Sequence, residues 1–335
     1  MQVTFYLGDE DVEALRSLDP DRDWRELQRG ERAWVLQTYL HLARAGFPAR
    51  LASRLPDAGV VVFHAKERQA VARRLRGGRR GLVLVAIRGD VKAARIADFE
   101  VVQNGSTADG RRQFFVPLWP QPGLMPRDAG RGTTLARVAY KGFHLNLHPY
   151  FRSPDWRRFL AARGIEWIVD SVPFEERGTQ GELLDWPDFR AVDAVLAVRP
   201  AACPRRDGKP ATKLYNAWLA GVPALLSPDV AFRELRRSPL DFLEVTGPEA
   251  AKATLCRLQK DPELYRRMVA NGRVRAAEFT TGAVLARWTE LLGEVLPWRL
   301  AARARGTYGS LPRESSWRAW RRRFTVARMP PASTT

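Results

Sequence analysis

The chain has 335 residues, 55 of them Lys or Arg against 37 Asp or Glu, for a formal net charge of +18. At roughly 150 residues per domain the length fits about two domains, and a composition 27% charged and 45% hydrophobic is that of a folded protein rather than a disordered one. Cys203 and Cys256 are too few for a disulfide framework or a four-thiolate metal site, and the sequence shows neither an export signal nor a run of about 18 apolar residues, so a reducing, cytoplasmic setting is expected.

In chain order, QVTFYLG (2–8) is a β-rich run, followed by a polar, acidic stretch to Arg32 that reads as a long loop. Trp34, Val35, Thr38, Tyr39 and Leu42 recur at helical spacing, and Gly46 with Pro48 ends the pattern where a helix C-terminus is expected. ARLAS from Ala49, GVVVFH (59–64), LVLVAI (82–87) and FEVVQN (99–104) read as strands, with KERQAVARRL as a helix among them. Continuous Val/Ile/Leu strands separated by helices imply a parallel sheet covered on both faces, a doubly wound α/β domain. FFVPLWPQPGLMPRDAGRG follows neither period and is rich in Pro and Gly, which marks an interdomain connection.

The rhythm then restarts. RVAYKG (137–142) reads as a strand, DWRRFLAARG as a helix, EWIVDS and AVLAVRP as strands, 210–221 as a helix, VPALLS as a strand, VAFRELRR as a helix and FLEV as a strand. Helical segments continue to Pro297, the last carrying an apolar stripe of Val284, Trp288, Leu291, Leu292 and Val295. The expected division is a Rossmann-like domain over 1–118, a connection over 119–136, a second Rossmann-like domain over 137–297, and a basic-aromatic tail over 298–335.

That tail holds nine Arg and one Glu, interleaved with Trp317, Trp320 and Phe324. It suits peripheral contact with an anionic membrane, at the inner membrane surface for a cytoplasmic protein; the competing reading is a tail that packs across the domains or simply frays. The chain before the tail is also basic, which favours phosphorylated molecules or other polyanions, or serves solubility alone. RGGRRG (76–81) is a single copy between a helix and a strand and reads as a basic turn. Nucleic acid is therefore not expected as a partner. No G-x-G-x-x-G follows a strand and no Walker lysine loop occurs, which disfavours dinucleotide dehydrogenases and P-loop enzymes.

The segment RPAACPRRDGKPATKLYNAWLAGVP (199–223) carries the most chemistry. A strand ending at Arg199 puts a guanidinium at the carboxyl edge of the sheet, where ligands of open α/β sheets bind. A loop delivers Lys209, and Pro210 suits the first helical position, leaving the next amides at a positive helix terminus fit for an anion such as a diphosphate. Thr212, Lys213 and Asn216 share a face with Lys209, while Leu214, Trp218 and Gly221 turn away to pack. An ordinary surface helix with two solvated lysines is the competing reading.

KLYNAWLAGVPALLS resembles the donor-site helix of GT-B glycosyltransferases, through Ala217, Gly221, Val222 and Pro223 at the helix-to-strand step. FRELRRSPLDFLEV and DPELYRRMVANGRVRAAEFT, with its N-G-R, are similar to the end of such a donor domain. The resemblance reaches to about Pro297 and implies two Rossmann-like domains facing a cleft, with a nucleotide-sugar as donor substrate and no further cofactor. It departs where many retaining members carry two glutamates: Gly208 and Asn216 stand at those positions. The TKLYN run is instead similar to the Thr-Glu-Lys-Leu stretch of some fucosyltransferases, in which lysine meets the donor diphosphate. Arg199, Lys209 and Lys213 are then expected to stabilise the departing diphosphate in place of a metal, since no Asp-x-Asp is present. KGFHLNLHP, with Gly142 and His144, occupies the turn that approaches the diphosphate in GT-B proteins; a packed or solvated histidine is the competing reading.

An acceptor base is expected at the carboxyl ends of the N-terminal strands: Asp9 after the first, His64 after GVVVFH, Asp90 after LVLVAI, each also readable as a cap or loop residue. The expected activity is sugar transfer to a carbohydrate or lipid-linked hydroxyl, in surface-polysaccharide or glycolipid assembly. The rivals are a non-catalytic polyanion binder on the same scaffold and, more remotely, a phosphosugar epimerase.

Overall fold

The computed structural model describes residues 1–27, 30–78, 81–171, 185–200 and 208–306. In the N-terminal half, β1 (Val3–Tyr6), α1 (Val12–Arg16), α2 (Gln37–Arg44), β2 (Ala49–Ala52), β3 (Gly59–His64), α3 (Arg68–Arg74), β4 (Leu82–Ile87), β5 (Phe99–Val102) and β6 (Gln113–Phe115) follow in order. Their six strands form one sheet in the order β2-β1-β3-β4-β5-β6, every pair parallel. The unbroken Val/Ile runs have a direct cause. Successive side chains of a strand point to opposite faces, so Val60 and Val62 of β3 enter one hydrophobic cluster while Val61 and Phe63 enter another on the opposite face. Both faces are dry, and both need apolar residues.

The second half contains β7 (Arg137–Lys141), α4 (Pro154–Ala161), β8 (Glu166–Asp170), β9 (Ala194–Ala197), α5 (Thr212–Ala220), β10 (Ala224–Leu226), α6 (Val230–Leu235), β11 (Leu243–Glu244), α7 (Pro248–Lys260), α8 (Pro262–Ala276), α9 (Thr281–Glu290) and α10 (Leu296–Ala304). Its sheet runs β11-β10-β9-β7-β8, again all parallel. In both sheets the first strand is flanked by the second and the third, so the connections diverge there and open a crevice at the carboxyl ends.

Three expectations change. The acidic stretch read as a long loop contains α1, whose start is capped by the Asp11 carboxylate accepting the Glu13 amide at 3.2 Å. The Phe-Phe pair read as the start of the connection belongs to β6, a strand too short to show a period. The stripe Val284, Trp288, Leu291, Leu292 and Val295 was placed with 137–297, yet these residues join the core of the N-terminal sheet together with Val35, Leu40 and Leu42. By packing, residues 281–304 therefore belong to the first domain: α9 and α10, joined by a π-type turn at Leu291–Val295, cross back and cover it. Arg299 and Arg303 at the start of the expected tail reach Gly110 O and Asp98 of that domain. The rest of the tail, with Trp317, Trp320 and Phe324, lies outside the described residues, as do Arg79 and Arg80 of the basic turn and Cys203.

The connection is tied to both halves. Trp119 Nε1 donates to Thr38 Oγ1 of α2 at 2.8 Å, whereas the Leu118 carbonyl accepts from Tyr215 of α5 at 2.9 Å. Arg127 and Arg131 both hold the fully buried Asp193 carboxylate just before β9.

Candidate active site

At the C-terminal switch point, the loops after β7 and β9 and the start of α5 converge. Gly142, just after β7, has φ +149°, a conformation L side chains rarely adopt, and a methyl group there would collide with Lys213 Nζ. The glycine lets Lys213 lie over the Tyr140 ring, 4.8 Å from its centroid, and donate to the Lys141 carbonyl. Burial, followed by the charge of Arg199, pulls the Lys213 ammonium down to about 7. Such an amine gains from an anion, because an anion restores the favourable charged form.

Arg199 is placed at the edge as expected, but its charge is already engaged. Its guanidinium donates to Asp229 Oδ2 at 2.6 Å and to Asn146 Oδ1 at 2.7 Å, with the Arg199 and Asp229 side chains only 8% and 1% exposed. It braces the β7 loop against the start of α6 and raises the local potential rather than reaching out. The helix begins at Thr212, two residues later than Pro210 suggested, and no side chain among the described residues caps its N-terminus. Asn216, expected on the ligand face, is buried and its Oδ1 accepts from the Gln121 amide at 3.1 Å. That oxygen serves the connection. His144 lies in a short turn with Nε2 3.3 Å from Ser171 Oγ and with Nδ1 buried and without a hydrogen-bond partner among the described residues.

Across the cleft the three candidate bases differ sharply. Asp9 is 89% exposed and pairs with Arg74 at 3.3 Å within its own domain. His64 ends β3 and is buried, with Nδ1 accepting from the Lys66 amide at 3.4 Å; burial holds its ring down to about 4. The ring is therefore neutral near pH 7, with its accepting nitrogen already used, which suits it poorly to take a proton. Asp90, after β4, forms an ion pair with Lys209 of the other domain. Burial pushes its carboxyl up, but the hydrogen bond and charge of Lys209 outweigh that and leave it below the ordinary carboxylate value.

Three residues were not anticipated. Trp34 stacks on the His64 ring at 6.0 Å between centroids, and Glu31 pairs with Lys66 at 3.0 Å beside it. Glu234 of α6 accepts the Gly105 and Ser106 amides of the first domain at 2.9 and 3.0 Å, a second clasp across the cleft; burial raises its carboxyl. Trp34 and Glu31 find their partners within the first domain, whereas Glu234 is an ordinary acidic residue in the sequence and only the approach of the two domains gives it a partner. Among the described residues no group of three or more His, Cys, Asp or Glu is arranged to hold a metal, and no helix is long and apolar enough to cross a membrane.

No protein-family model matches the chain, and no curated protein matches it. Solved structures do. Anabaena HepE in complex with UDP superposes with a TM-score of 0.52 at 12% identity, covering 88% of this chain and 100% of that one. AviGT4, a glycosyltransferase involved in avilamycin A biosynthesis, gives 0.51 at 12% identity over 88% and 98% of the two chains. The chain has the GT-B fold. The GtfA/B complex matches at 0.51 and 12% identity over 79% of this chain and 60% of that one. In GT-B terms, Lys209 and Lys213 stand on the wall of the second Rossmann-like domain and Asp90 on the wall of the first.

Proposed function

We propose that the protein is a glycosyltransferase that moves a sugar from a nucleoside-diphosphate donor to a hydroxyl of a carbohydrate or lipid-linked acceptor. The observation that carries this reading is the juxtaposition at the cleft: Lys213 and Lys209 beside the start of α5 at one switch point, opposed by Asp90. The similar structures of HepE, solved in complex with UDP, and of the glycosyltransferase AviGT4 support it.

In the proposed reaction the donor diphosphate lies against Lys213, Lys209 and the first amides of α5. The acceptor oxygen bonds to the anomeric carbon and passes its proton to Asp90. The bond from that carbon to the β-phosphate oxygen breaks, and the charge left on the nucleoside diphosphate is met by the two ammonium groups. These cations do the work of a metal, so transfer is proposed to proceed without one. Work on surface polysaccharide or glycolipid at the cytoplasmic face of a membrane is the proposed setting.

A thermal-shift screen with UDP, GDP, CDP, ADP and TDP tests the reading. A diphosphate at about 100 times its dissociation constant adds roughly 2.7 kcal/mol of stability. A selective shift that disappears in Lys213→Ala is the expected result. No shift with any of the five, together with steeply salt-dependent binding of RNA or DNA, would instead establish a polyanion-binding protein on a GT-B scaffold.

A further inference from the structure

His64 has one ring nitrogen in use and one idle. Because Nδ1 accepts from the Lys66 amide, the neutral ring carries its proton on Nε2. Nε2 is buried and has no hydrogen-bond partner among the described residues, an expensive state for an N–H. The ring is held in place by Trp34, which stacks on it. Against Nε2 lies the turn that carries the proposed base: Gly89 has φ +57°, and a methyl there would come within 2.6 Å of Nε2. The turn bearing Asp90 is thus in contact with this donor, while the Asp90 carboxylate is paired with Lys209.

Lys209 also belongs to the proposed diphosphate site. A phosphate arriving there competes with Asp90 for the same ammonium, and it brings the greater charge. We infer that Asp90 has two alternative partners, Lys209 in the empty cleft and the Nε2–H of His64 once a nucleoside diphosphate has claimed Lys209, so that His64 positions the acceptor base. The inference rests on the proposed function and adds a sequence to it: donor first, then a base aimed at the acceptor.

Calorimetric titration of the full chain, using whichever of UDP, GDP, CDP, ADP and TDP binds best, tests the competition. Asp90→Asn removes the competing carboxylate charge and should tighten diphosphate binding about 3- to 10-fold; unchanged or weaker binding overturns the exchange. Two variants then test His64. In His64→Asn the side-chain oxygen can still accept the Lys66 amide but no N–H reaches the Nε2 position; in His64→Gln an amide N–H reaches that position but the cap is lost. The expected result is a kcat about 10- to 100-fold lower for the Asn variant, with diphosphate affinity modestly weakened because the bound state loses the alternative partner of Asp90, and with most of the rate and affinity kept by the Gln variant. Equal losses, or a Gln variant worse than the Asn variant, would show that His64 acts through its cap and overturn the positioning role. If none of the five diphosphates binds the unaltered protein, the proposed function falls and this inference with it. If one binds but Asp90→Asn gains nothing, only the exchange falls.

Discussion

The two sheets share the same winding, with the first strand between the second and third, yet their carboxyl edges carry opposite chemistry. The C-terminal edge gathers Arg199, Lys209 and Lys213 around a strand followed by a glycine; the N-terminal edge presents a carboxylate, Asp90, and a buried neutral histidine. Topology determines where a crevice opens, through the divergence of neighbouring connections. Which ligand it suits is decided by a few loop residues, and here the two edges complement each other closely enough to pair across the cleft.

The N-terminal sheet depends most on the helices that return to cover it. Trp288 is 3% exposed in the core of that sheet, so Trp288→Ala should destabilise the protein by about 3–5 kcal/mol, measured by urea unfolding. A loss below about 1 kcal/mol, the level of an ordinary surface change, would mean that α9 does not complete the first domain.

Removing a cation from the other edge comes next. Lys213→Ala should weaken diphosphate binding by about 1.5–3 kcal/mol, the worth of a charge-assisted hydrogen bond. Gly142→Ala should act in the same direction, because the added methyl displaces the Lys213 ammonium. Calorimetry on both variants checks this, and a normal affinity in either one removes Lys213 from the site.

The depressed Lys213 supplies a pH test with a definite sign. Its ammonium titrates near 7, against 10.5 for an ordinary lysine. Below that value the charged amine is ready for the diphosphate. Above it, binding must first take up a proton, so affinity should fall as pH rises, by up to about tenfold per unit. Lys213→Arg should flatten the slope, since guanidinium stays charged. A slope that survives in the arginine variant would place the titrating group elsewhere.

Asn216→Ala should have the smallest effect. Its oxygen serves the Gln121 amide, so diphosphate affinity should stay within about twofold while stability falls by about 1 kcal/mol. A tenfold loss of affinity would return Asn216 to the ligand face.

Much of this was legible beforehand for identifiable reasons. The parallel strands announce themselves because both of their faces are covered, and unbroken runs such as Val60–Val62 have no other economical explanation. Lys209 and Lys213 stand out because they bracket a helix start after a strand. The same reasoning missed β6, too short for a period, and misplaced α9, because an apolar stripe says that a helix buries one face but not against which sheet. It also took Arg199 and Asn216 as ligand residues. Their side-chain types suit a ligand, but Asp229, Asn146 and Gln121 reach them first, from positions 30, 53 and 95 residues away in the chain.

By itself the sequence determined the two α/β domains, the order of most elements and the basic character of the second crevice, because these follow from local periodicity and from which residues flank each strand. Only packing in three dimensions settles that the last helices serve the first domain, that Arg199 is braced while Lys209 faces Asp90, and that Nε2 of His64 is buried without a hydrogen-bond partner among the described residues. Those outcomes depend on which side chains meet across the cleft, and that is a property of how distant segments pack, to which no local pattern in the chain has access.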